Sequence, residues 1–144
     1  MTGGAGRLAA RIGRRGSALL FFAFLDAVYC AALLTAPRPL VPLYAYLAGV
    51  MPLGTWAAVW GGVGMACLVY AFRAYDTVAF MCAVALKVAW GLLSFWGWAF
   101  GHVDRGWLNA VIWLAFACFV FLIAGGIPAA PPRPIGRRWV WIRS

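Results

Sequence analysis

Charge is what this sequence lacks. Asp, Glu, Lys and Arg make up only 10% of its 144 residues, against about 25% charged residues in a soluble domain. There are three acids in the chain, Asp26, Asp76 and Asp104, one lysine, Lys87, and one histidine, His102. So short a supply leaves no paired carboxylates, no Ser/His/Asp set and no phosphate-binding loop. His102 with Asp104 and Arg105 reads as a polar turn. The four cysteines, Cys30, Cys67, Cys82 and Cys118, fall one to each apolar run and form no CxxC pair. That spacing excludes a zinc framework and a disulfide scaffold, and such cysteines behave as small buried hydrophobes. No catalytic residue, cofactor or metal is expected.

What is present is apolar surface. Hydrophobic residues make up 66% of the chain, more than a soluble fold of this length can bury, so lipid is the expected solvent. A spanning helix needs about 20 apolar residues, and four segments qualify: 17–36, stopped by "PRP"; 54–72, stopped by "RAYD"; 77–100, stopped by "GHVDRG"; and 107–127, stopped by Pro128. Spanning segments are helices or closed barrels, and no alternating ten-residue barrel pattern appears. The expected fold is all-α: an integral-membrane four-helix bundle of up-down topology. The connectors are 37–53, 73–76 and 101–106. The first, "PRPLVPLYAYLAGVMPLG", is apolar enough to lie in the outer interface, with a short helix at 43–50. The tight turn at 73–76 makes spans two and three a hairpin.

The net charge of +9 is placed for orientation, not for nucleic acid. Arg7, Arg11, Arg14, Arg15, Arg73, Arg133, Arg137, Arg138 and Arg143 fall on one side, and only Arg38 and Arg105 on the other. The positive-inside rule then puts both termini in the cytoplasm of a bacterial inner membrane. The first span is read as retained: it is too long for a signal peptide, has an acid at its centre and lacks a cleavage site. Two terminal segments are expected at the anionic inner leaflet. In 1–16, Arg7, Arg11, Arg14 and Arg15 share a helical face. In 128–144, a Pro-rich spacer leads to Arg137, Arg138, Trp139, Trp141 and Arg143, a basic-aromatic set suited to headgroups.

Span two carries Gly54, Ala58, Gly62 and Ala66 at four-residue spacing, a pattern that lets helices approach closely in lipid. It serves either the bundle or a contact with another membrane protein, most simply a second copy. Trp56, Trp96, Trp98 and Trp107 lie near outer span ends and fit an aromatic belt. Trp60, Trp90 and Trp113 lie deeper.

Two charges fall in mid-span. Asp26 is nine residues from the start of span one and Lys87 ten from the start of span three. At 1.5 Å per residue both lie about 14–15 Å deep, near the middle of a ~30 Å core. A lone charge there costs about 2.5–3.5 kcal/mol on insertion scales, so opposite charges at matched depth on helices running the same way are expected to pair. The pair serves either to fix register or to form a pathway or trigger.

The stretch "DRGWLNAVIWLAFACFVFLIAGG", 104–126, with the "RAYD" turn before it, resembles small four-span membrane proteins of actinobacterial phages. Some of those are regarded as holins or holin-like lysis proteins, and the resemblance brings no catalytic motif. It implies inner-membrane permeabilisation by an oligomer. The other two expectations are a small transporter or ion-conducting bundle built on Asp26 and Lys87, and a non-catalytic scaffold or accessory subunit.

Overall fold

The computed structural model describes residues 3–37, 40–73 and 75–126. Among them are five helices and no strand: α1 (Gly3–Leu34), α2 (Pro42–Val50), α3 (Leu53–Tyr70), α4 (Thr77–Ala99) and α5 (Gly106–Gly126). Four stretches are long and apolar enough to cross a membrane: Arg15–Leu34 within α1, Leu53–Tyr70, Thr77–Ala99 and Gly106–Gly125.

The helix ends follow local chemistry. α1 runs without a break for 32 residues, about 48 Å at the standard rise. Of the segment expected at 1–16, residues from Gly3 onward are therefore part of the same helix as the first span. Alanine, leucine and arginine carry the helix through Gly13 and Gly16, whose cost is about 1 kcal/mol each, and no proline intervenes before Pro37. α2 begins with a proline in its first turn and ends where Met51 becomes extended before Pro52. The Trp56 indole N–H donates to the carbonyl of Leu47 at 3.2 Å and ties α2 to α3. α4 ends at Ala99, and two residues beyond it Gly101 is the one described residue at positive φ (74°). His102 and Val103 N–H groups close back on the carbonyl of Gly97 at 2.8 and 3.0 Å, a glycine-terminated stop.

The helices associate in two close pairs, α1 with α3 and α4 with α5. In the first pair Gly61 faces Cys30 and Gly64 faces Ala23 and Asp26, so the helices run antiparallel. In the second, Gly91 faces Ala110 and Leu114, and Gly106 faces Ser94 and Trp98, again antiparallel. α3 and α4, joined by the short turn 71–76, touch less extensively than either close pair. α1 and α4 run parallel, since Arg15 meets Asp76, Phe22 meets Phe80 and Asp26 meets Lys87 in rising order.

The close α1–α3 contact does not use the expected small-residue stripe. Gly54, Ala58 and Gly62 are exposed and Ala66 is half-buried. A Cβ added at Gly54 or Gly62 would meet nothing within 4 Å. The buried stripe of α3 is Ala57, Trp60, Gly64 and Cys67. The reason is steric: the face that accepts α1 must also carry the bulky Trp60 inward, and the regular glycine–alanine row is turned outward by that choice.

The core has two parts. One, around Leu19, Phe22, Cys67, Phe80 and Val120, lies toward the 71–76 turn. The other, around Leu33, Leu47, Trp60, Trp90 and Trp113, lies toward α2. The outside is strongly apolar, with Phe24 and Leu122 each 68% exposed. Buried charge inside and exposed phenylalanine outside reverse the soluble pattern.

Candidate functional site

Asp26 on α1 and Lys87 on α4 sit where the two parts of the core meet, and both side chains are fully buried. The Lys87 ammonium donates to Asp26 Oδ1. Gly64 makes this position of α1 possible: a Cβ there would lie 3.0 Å from Asp26 Cβ and 3.3 Å from the Ala23 carbonyl oxygen. Lys87 Nζ also lies 4.9 Å from the centroid of the Trp60 ring, within the range of a cation–π contact.

Each of the four long helices contributes one ring beside the pair. Tyr29 stacks on Trp60 at 4.4 Å and 17°. Trp90 and Trp113 meet Trp60 edge-on at 5.2 and 5.4 Å. Tyr29 follows Asp26 by three residues and Trp90 follows Lys87 by three; that spacing keeps charge and ring on one helix face. The second carboxylate oxygen of Asp26 and the indole nitrogens of Trp60, Trp90 and Trp113 are buried without a hydrogen-bond partner among the described residues. Buried polar groups are generally satisfied, so four such atoms around one ion pair mark a polar centre held in an otherwise apolar bundle.

A second ion pair, missed in the sequence, lies toward the 71–76 turn. Arg15 holds Asp76 in a two-pronged contact, Nε to Oδ2 at 2.8 Å and Nη2 to Oδ1 at 2.7 Å. Its Nη1 donates to the Ala124 carbonyl of α5 at 2.8 Å, and its guanidinium lies 5.0 Å from the Phe80 ring centroid. Arg15 therefore joins the start of α4 to the last turn of α5, whose final carbonyls have no helical partner. Arg15, expected at the membrane surface, makes this contact because a planar guanidinium matches a carboxylate and a carbonyl at once. A signal was there to find. Positions 15 and 26, like positions 76 and 87, are eleven apart, three helical turns on one face.

A third polar link joins α4 to α5. Asn109 Nδ2 donates to Ser94 Oγ at 2.8 Å, and Ser94 Oγ donates to the Trp90 carbonyl at 2.9 Å. His102 stacks on Tyr46 of α2 at 5.4 Å, while Asp104 and Arg105 are exposed. Trp96, Trp98 and Trp107 are exposed at the same end. Among the described residues, no group of three or more His, Cys, Asp or Glu is placed to hold a metal ion. The side chains of Arg7, Arg11 and Arg14, and all of Arg137, Arg138, Trp139, Trp141 and Arg143, lie outside the described residues. What the centre can do chemically is hold, separate or exchange one pair of charges. Comparison with protein-family models, with curated proteins and with solved structures gives no match.

Proposed function

We propose that the chain is a four-span protein of the bacterial inner membrane, with both termini cytoplasmic, that acts as a holin-like permeabilising bundle held shut by its buried ion pair. The observation that carries this reading is the Asp26–Lys87 pair, fully enclosed between α1 and α4. Replacing a buried pair with apolar residues of similar size often costs nothing or stabilises. A pair present at that expense has its best use where it can come apart, and charged groups in a membrane core are rare and functional by default. Separated, the two charges and the indole N–H groups would become the polar lining of a lesion. The exposed apolar surface and the four spanning-length helices support lipid as the solvent. The arginine count on the side of the termini supports the orientation, and the layout resembles small phage membrane proteins.

One observation favours a second reading, a scaffold whose ion pairs only fix register. Arg15–Asp76 and Asp26–Lys87 share the same sequence separation of 61 residues, as two rungs of a structural ladder would. Induced expression in a bacterium separates the two. Permeabilisation predicts normal growth followed by an abrupt collapse of membrane potential. A steady potential with the protein abundant in the membrane removes that reading and leaves the scaffold.

A further inference from the structure

The two close helix pairs divide the polar centre evenly. α1 and α3 supply Arg15, Asp26, Tyr29 and Trp60; α4 with its N-cap residue Asp76, and α5, supply Asp76, Lys87, Trp90 and Trp113. Along α1 the charges run positive then negative, and along α4 negative then positive, at one fixed offset. Each pair of helices therefore presents a charge pattern that only the other pair complements, in a single register.

We propose that the chain self-associates by exchanging these helix pairs, the α1/α3 pair of one copy packing on the α4/α5 pair of a second copy with both ion pairs re-formed between them. The inference rests on the membrane-spanning reading above and adds the partner: another copy of the same chain. Three features carry it. Contact within each pair is more extensive than between the pairs, so each can move as a unit. In lipid, separating apolar helix faces meets little hydrophobic penalty, and polar contacts choose the partner. Only residues 71–75 connect the units, since Asp76 caps α4. Exchange of identical elements between copies proceeds through hinge segments of this kind. Exchange closes as a dimer or continues around a ring with the same contacts.

The test uses two full-length copies with different tags. One carries Arg15→Asp with Asp26→Lys; the other carries Asp76→Arg with Lys87→Asp. Each alone sets like charges against each other, whereas in a mixed pair both bridges return with polarity reversed in one half. Exchange predicts loss of each copy when expressed singly, and recovery with co-purification of the two tags when expressed together. No recovery on co-expression, with each copy still inserted, overturns it. A second measurement keeps the native charges. Phe22 and Phe80 touch across the interface with ring centroids 6.2 Å apart. With the native cysteines replaced, Phe22→Cys in one copy and Phe80→Cys in the other give an oxidised product joining the two tags only if the helix pairs exchange. Uncrosslinked protein in the membrane fraction overturns exchange alone; absence from that fraction overturns the membrane reading with it.

Discussion

Lys87 meets Asp26 at the same sequence separation, 61 residues, at which Asp76 meets Arg15, and the charges are exchanged between the two helices. A shift of α1 along α4 by one helical turn would break both pairs and leave Asp26 and Lys87 as uncompensated buried charges. The lock is thus on register as much as on association.

The inner pair is expected to show strong coupling. Lys87→Met leaves the Asp26 carboxylate buried and alone, and Asp26→Leu leaves the ammonium so. Each single variant should lose about 3–5 kcal/mol of stability. The double variant Asp26→Leu with Lys87→Met should lose less than either single. Unfolding in bicelles, read as a double-mutant cycle, measures the coupling; additive losses would mean that the two groups do not act as a pair.

Two glycines on α3 should behave oppositely. Gly64→Ala pushes a methyl to 3.0 Å from Asp26 Cβ and should destabilise by about 1–3 kcal/mol through overpacking. Gly62→Ala meets nothing and should be neutral or gain up to about 1 kcal/mol from helix propensity. Equal effects at the two sites would contradict the packing of α1 on the Gly64 face.

Arg15→Lys should not substitute for arginine. An ammonium cannot hold both oxygens of Asp76 and the Ala124 carbonyl together. Hydrogen exchange should speed up in the first turn of α4 and the last turn of α5 while the centre of the bundle keeps its protection. Unchanged protection at both helix ends would show that the clamp contributes nothing there.

Asn109→Ala should cost little. The lost bond to Ser94 is 2.8 Å long, yet hydrogen bonds between spanning helices average about 0.6 kcal/mol in double-mutant cycles. A loss as large as that for Lys87→Met would place the polar centre of the protein between α4 and α5 instead.

Hydropathy made the four long helices legible, because it reports the solvent. It is nearly silent about neighbours when that solvent is lipid, since apolar side chains suit both the core and the outside. That is why the regular Gly54–Ala58–Gly62 row drew attention while the packing face ran through Trp60 and Gly64. Asp26 and Lys87 could be matched by counting depth because charge in mid-span is scarce. Arg15 was hidden by abundance: among clustered basic residues near a span end, nothing in composition separates the arginine that grips an aspartate from its neighbours. Its only mark was the spacing to Asp26, three turns along one face. The continuity of α1 was likewise obscured by the change from basic to apolar residues near position 16, which alters the solvent preference of a helix without ending it.

The most direct measurement is the time from induction to loss of membrane potential, recorded in single cells for the wild type, Lys87→Met, and Asp26→Leu with Lys87→Met at matched membrane levels. If the buried pair holds a permeabilising bundle shut, the wild type collapses abruptly after a delay. Lys87→Met then shifts that delay, and the double variant moves it back toward the wild-type time. Indistinguishable times in all three, or a potential that never collapses, would contradict it.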